Sequence, residues 1–250
     1  MVRQALCVDV ESLGGVAGDM LLAAFIDLGA DYAAIERAFS NLEINGLQLR
    51  SERVYVDGAE GVHVRSLAPA EGEGHGRRPH DIFDMIEKAE CSPRAKGVAR
   101  EIFNVLIGAE AKVHGATHED VHLHEVGEVD SIMDVIGIAV AYDSLGAPKM
   151  SMGALPSGHG QVNTSHGLLT CPVPAVMEIA KRFSIELEPT DVEGETVTPT
   201  GIAALATLCS SRQKGNSPAS TGWVGVGVGS KRFPTRPNII QLHATEKKEL

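Results

Sequence analysis

The 250-residue chain carries a formal net charge of −11, with 43% hydrophobic residues, 22% charged residues and only 4% aromatics. That is enough chain for one large domain with a sizeable core, and the core must be aliphatic. The acidity excludes a general nucleic-acid binder, which needs a basic face against phosphates, and it draws cations toward the surface. Cys7, Cys91, Cys171 and Cys209 form no CxxC pair, so neither a zinc finger nor a redox dithiol is expected. The first residues do not read as a signal peptide, and no apolar run approaches the ~20 residues that span a bilayer. The expectation is a reduced, cytoplasmic protein with no membrane partner.

In chain order, "ALCVDV" reads as a strand, "ESLGGVAGD" as a glycine-rich turn, and the following apolar run as a helix with Gly29 near its end. A short helix fits 31–42, and strands fit 46–56 and 61–67, with "DG" at the turn between them. Residues 68–79, "APAEGEGHGRRP", lack periodicity and read as a loop and possible subdomain boundary. "HDIFDMIEKA" and 94–114 are helical, the second through a stripe of Val98, Ile102, Val105, Ala109 and Val113. A short strand is expected at 121–124 and a helix from about 128 to 145. Helices follow in "CPVPAVMEIAKR" and "TPTGIAALATL", then a glycine-punctuated strand, a loop and a last strand. The order predicts an α/β fold, a mixed β-sheet layered with helices.

The densest chemistry lies in "VHLHEVGEVDSIMDV". In a strand, His122 and His124 share a face, and Asp130 and Asp134 are neighbours on the helix that follows. Imidazole with carboxylate suits Ni, Zn, Mn or Fe, whereas hard oxygens alone suit Mg. The competing reading is structural: Glu128 and Asp130 favour a helix N-terminus, and the histidines make hydrogen bonds. Glu110 and His114 also stand one turn apart, but a histidine at a helix C-terminus is favoured by the dipole alone. In "SLGGVAGDM", Gly18 and Asp19 mark either an anion-accepting turn or a plain capped turn. "ETVTPTG" supplies Thr198 as N-cap, with Thr200 and Gly201 leaving backbone donors. His166, in "SHG", and Arg236, beside Lys231 and Arg232, are further candidates for a phosphorylated ligand. "SHG" lacks the third member and the elbow of a nucleophile–base pair.

Together these segments resemble the nickel-insertion proteins (LarC type) that complete the nickel-pincer nucleotide cofactor of lactate racemase. The matching stretches are "GVAGDMLLAAFIDLGAD", "AEAKVHG", "VHLHEVGEVDSIMDV", "GHGQVNTSHGLLTCPVPA", "ETVTPTG" and "VGVGVGSKRFPTRPN". The resemblance implies a CTP-dependent cyclometallase, classed as a lyase. It would insert nickel into pyridinium bisthiocarboxylic acid mononucleotide through one carbon–nickel and two sulfur–nickel bonds. His122, His124, Asp130 and Asp134 would then hold or relay nickel, and by general acid–base logic, not by a family assignment, Glu125 would take the proton lost from the ring carbon. Full-length members continue into a second domain that the resemblance associates with CTP and with Mg or Mn. The expected partners are therefore the pincer-cofactor precursor and a C-terminal LarC-type domain or chain, in an oligomer. Members also carry an HRxL-type run where "GRRPHDI" here keeps Arg77 and moves the histidines to His75 and His80. Two other readings stay open: a non-catalytic ligand- or metal-binding module that scaffolds a partner domain, and a metal-dependent phosphohydrolase.

Overall fold

The computed structural model describes residues 6–42, 44, 46–56, 58–67, 76–212 and 222–246. Most of the expected boundary loop, His75 included, lies outside them, as does Asp57 of the "DG" turn. A seven-stranded sheet runs in the order β2-β3-β10-β11-β1-β4-β9. Its strands are β1 (Leu6–Ser12), β2 (Gln48–Val56), β3 (Ala59–Leu67), β4 (Lys149–Met152), β9 (Cys209–Arg212), β10 (Trp223–Val228) and β11 (Ile239–Glu246). Strands from both sides of the 68–79 loop therefore share one sheet. β1 is parallel to β4 and antiparallel to β11, β11 is antiparallel to β10, and β10 is parallel to β3. The C-terminal ends of β1, β3, β4 and β10 consequently face the same edge, where open α/β sheets place their ligand crevices.

Among the described residues seven helices accompany the sheet: α1 (Gly18–Asp27), α2 (Tyr32–Phe39), α3 (Pro79–Lys88), α4 (Pro93–His114), α5 (Val129–Ser144), α6 (Pro174–Phe183) and α7 (Pro199–Leu208). The alternation along β1 and β11 turns Val8, Val10, Ile240, Leu242 and Ala244 into the main core. Val56, Val226, Val228 and Ile239 form a small second cluster. The core is aliphatic as expected, with Phe25 and Phe103 its only fully buried aromatics among the largest side chains. No helix among the described residues is long and apolar enough to cross a membrane.

The glycine-punctuated strand explains how α1 seats itself. A Cβ at Gly225 would lie 2.3 Å from the Ala24 carbonyl oxygen, and one at Gly227 1.8 Å from that of Met20. The glycines of "VGVGVG" therefore form a trough into which the α1 backbone settles directly. α5 is shaped the same way, since a Cβ at Gly137 would meet Leu22 at 2.9 Å. The small-residue face beside Asp134 is thus filled by α1 itself.

Two parts of the chain differ from the sequence expectation. Residues 121–124 are not a strand; only Leu123 bridges, to Arg77, and Glu125–Gly127 makes a single 3-10 turn before α5. Arg77 holds the segment as a loop through its backbone carbonyl, which accepts from Leu123 N–H at 2.9 Å. The stretch 149–193 holds strands that its sequence does not announce: β4, β5 (Leu155–His159), the hairpin β6 (Gln161–Thr164) and β7 (Gly167–Thr170), and β8 (Leu187–Glu193). These strands are short and mostly polar, so their period-2 signal is weak.

Candidate functional site

A cavity of about 620 Å³ opens at the strand ends. Val64 to Leu67 at the end of β3, Ala17 to Asp19 after β1 and Ser230 after β10 contribute to its lining. Four helices point their N-termini at it: Gly18 begins α1, Asp130 lies in the first turn of α5, and Pro174 and Pro199 begin α6 and α7. Each such terminus carries a partial positive charge and unpaired N–H groups. α1, α5 and α6 have no side-chain cap, whereas Thr198 caps α7 by accepting from Gly201 N–H at 3.2 Å.

Among the described residues seven carboxylates line the cavity, Asp19, Glu110, Glu125, Glu128, Asp130, Asp134 and Glu195, against a single guanidinium, Arg65. Two of them make its floor. Asp134 reaches from α5 to the start of α1, where it accepts the Asp19 backbone N–H. It acts as the N-cap that Ala17 cannot supply. A Cβ at Gly18 would lie 2.6 Å from Asp134 Oδ2 and 2.9 Å from the Thr200 methyl. Burial pushes the Asp134 carboxyl well above the usual carboxylate range, and the charges of Asp19 and Asp130 add to the rise. Burial also raises Asp19, against the lowering effect of the Met20 N–H, which its Oδ1 accepts at 2.8 Å.

The opposite wall is made of imidazoles. His114 ends α4, which Ser92 caps at its start and Gly115, at φ 64, closes at its end. Its Nε2 lies 3.3 Å from Glu110 Oε2, one turn back. His166 sits in the two-residue turn of the β6–β7 hairpin, which Gly167 completes at φ 87. Its ring lies 4.8 Å from that of His114 and 4.7 Å from that of His124, centroid to centroid. Donor atoms of Glu110, His114 and His166 all fall within 4.8 Å of one another. Burial raises Glu110, with the neighbouring charges of His114 and His166 acting against it. His124 is lowered, first by burial and then by the charges of His166 and His114.

Arg77 fixes the loop that carries His124. Its guanidinium donates to the Gly127 carbonyl at 2.6 Å, and a Cβ at Gly76 would lie 2.7 Å from the Leu123 oxygen. The surviving arginine of "GRRPHDI" is therefore a structural pin for the 3-10 turn. Glu125 faces the cavity, and its Oε1 accepts from Ser165 N–H at 3.1 Å in the hairpin turn. Ser66, in the lining, has a buried hydroxyl with no hydrogen-bond partner among the described residues.

Of the residues singled out from sequence, Gly18, Asp19, His124, Glu125, Asp130, Asp134, His166, Thr198 and Thr200 line the cavity. His122, Gly201 and Arg236 are not in its lining. His122 is exposed, as His124 is, while Val121 and Leu123 are buried, but it lies outside the lining. The Gly201 N–H is used by Thr198, and its missing side chain admits the Val16 oxygen, 2.6 Å from where a Cβ would stand. Arg236 donates to the Leu13 carbonyl at 3.1 Å and ties its loop to the end of β1. Glu195 is an addition from structure. Burial raises its carboxyl, against Lys231, whose Nζ is 3.8 Å away. Glu110 and His114 carried a sequence signal in their one-turn spacing, but nothing in sequence joined them to His166.

The geometry defines an α/β protein that gathers imidazoles, carboxylates and helix N-termini in one strand-end cavity. A family model described as "Nickel insertion protein" matches residues 6–250. The chain is 40% identical over 235 residues to a putative nickel insertion protein of Myxococcus xanthus, covering 93% of this chain and 58% of that one. It is 39% identical over 243 residues to the pyridinium-3,5-bisthiocarboxylic acid mononucleotide nickel insertion protein of Staphylococcus epidermidis, covering 96% and 59%. A protein of the same description from Alkaliphilus metalliredigens is 34% identical, covering 95% and 60%. The chain belongs to the nickel insertion protein family. It spans about three fifths of the length of these curated relatives. No solved structure matches it.

Proposed function

We propose that this chain is the metal- and substrate-holding component of a nickel insertase acting on pyridinium-3,5-bisthiocarboxylic acid mononucleotide. The observation that carries the reading is one cavity that faces an imidazole–carboxylate wall with a set of helix N-termini. Nickel, the cargo, is borderline in softness and suits imidazole with carboxylate. The mononucleotide brings a phosphate and two thiocarboxylates. Backbone N–H groups at the uncapped start of α6 and near Thr198 and Thr200 suit a single phosphate. The orphan hydroxyl of Ser66 offers one further hydrogen bond.

Insertion exchanges a ring C–H for a C–Ni bond, closes two S–Ni bonds and releases a proton. Glu125 is the acceptor in this reading: it faces the cavity and is held in place by the Ser165 N–H. The carboxylates of the floor are partly occupied by their own hydrogen bonds, so they serve folding first and charge balance second.

The lining does not fit a nucleoside triphosphate. Seven carboxylates and one arginine repel a chain of phosphates. CTP and its Mg or Mn ion are accordingly assigned to the further length that the relatives possess, supplied as a C-terminal domain or chain, and no step here runs through them. The test combines the purified chain, nickel, the thiolated mononucleotide and CTP, with and without a C-terminal half from a relative, and follows the nickel adduct by mass spectrometry. Glu125→Gln should bind nickel and mononucleotide normally but slow adduct formation by about 100-fold or more.

A further inference from the structure

We propose that Glu110, His114 and His166 form the nickel-docking site at the mouth of the cavity, and that the bound ion straps the β6–β7 hairpin to the end of α4. This deepens the nickel-insertion reading and rests on it. The site differs from the one that "VHLHEVGEVDSIMDV" points to by sequence, because its ligands come from two other elements.

Three observations carry it. The donor atoms of the three side chains already lie within 4.8 Å of one another. An ion with bonds of ~2.1 Å holds adjacent ligand atoms about 3 to 4 Å apart, so closure asks for side-chain rotation and no backbone movement. Next, the structural explanation covers only part of the cluster. The helix dipole and the Glu110 contact account for His114. They say nothing about His166, which a separate hairpin brings against two imidazoles. Among the described residues neither ring nitrogen of His166 is used in a hydrogen bond, whereas His124 backs its ring edge-on at 90°. Finally, the alternative ligands are engaged elsewhere. Asp134 accepts the Asp19 N–H and Asp19 accepts the Met20 N–H, while His122 is outside the lining.

The placement has a consequence for chemistry. His166 and Ser165 form one turn, and the Ser165 N–H holds Glu125. Docking nickel on His166 therefore fixes the turn that positions the proposed proton acceptor. Metal loading and readiness of the base become one event, with His114 and Glu110 as the anchor on α4.

The experiment is nickel titration of the 250-residue chain by calorimetry, with hydrogen exchange of residues 161–170 recorded with and without nickel. His114→Ala and His166→Ala should each weaken nickel binding by at least about tenfold, and Glu110→Gln should weaken it less. His122→Ala should stay within about twofold of the wild type. Nickel should slow exchange across the hairpin in the wild type and leave it unchanged in His166→Ala. Unaltered affinity in both histidine variants, or affinity lost on His122→Ala or Asp130→Ala instead, overturns this site while leaving the nickel-insertion reading intact. A wild-type chain that takes up no nickel overturns both. All three substituted ligands are surface or half-buried side chains, and an unchanged melting temperature separates lost ligation from lost folding.

Discussion

The two ends of the cavity are built from the same residue types and behave oppositely. At the floor, Asp19 and Asp134 are enclosed, hydrogen-bonded to backbone N–H groups and pushed toward the neutral form by burial. At the mouth, Glu110, His114 and His166 bring their donor atoms together, with Glu110 and His114 paired to each other at 3.3 Å and the ring nitrogens of His166 unused among the described residues. Carboxylates at the floor stabilise a helix start, which is work done within the fold. The imidazoles at the mouth have little structural work to do, and a cation is the partner that completes them. Acidic residues around a cavity thus divide by what already holds them, and their number alone does not reveal a metal site.

That contrast can be broken by substitution, beginning where the expected loss is greatest. Gly18→Val forces a side chain into Asp134 and Thr200 and should cost about 2 to 3 kcal/mol in urea unfolding. Nickel affinity of the folded protein should remain as in the wild type. Full stability with abolished binding would instead make the floor a ligand site.

Asp134→Ala removes the cap on α1 and should cost about 1 to 2 kcal/mol. Asp134→Asn keeps an acceptor for the Asp19 N–H and should recover most of it. Because the folded carboxyl is raised above its unfolded value, its stabilising contribution is full below the ordinary carboxylate range and is lost as pH rises through the folded value. The wild type should therefore lose stability with rising pH above that range more steeply than Asp134→Asn, with Asp19 leaving a residual slope. Equal slopes in thermal melts across that window would show that Asp134 is not strained by its charge.

Arg77→Ala tests the connection between loop and mouth. Loss of its hydrogen bond to Gly127 should cost about 1 kcal/mol and loosen the loop that holds His124 against His166. Nickel affinity should fall by a few-fold, up to about tenfold. The smallest stability effect belongs to His114→Ala. Its partly buried one-turn pair with Glu110 should contribute no more than about 0.5 kcal/mol, measurable as a melting temperature close to the wild type. A large stability loss there would make the mouth a structural ion pair and erase the contrast.

Much of the framework was legible along the chain. Apolar period and caps placed α1, α4, α5, α6 and α7, and "VGVGVG" marked a strand, though only the structure showed α1 packed directly on it. "HLHEVGEVD" drew attention to three residues of the cavity lining, His124, Glu125 and Asp130. The strand expected at 121–124 is a loop instead, because a strand needs a partner edge that local sequence does not display. Only the tertiary structure brought His166 to Glu110 and His114. Their spacing in sequence is long, and a contact between a hairpin turn and a helix end leaves no periodic trace. Tertiary packing also decided the fate of Gly18, Gly201 and Asp134, which sequence offered as ligand contacts. Whether a glycine faces a ligand or another backbone, and whether a carboxylate is free or already bonded, depends on what packs above it. Local sequence fixes the donor, and the fold chooses its acceptor.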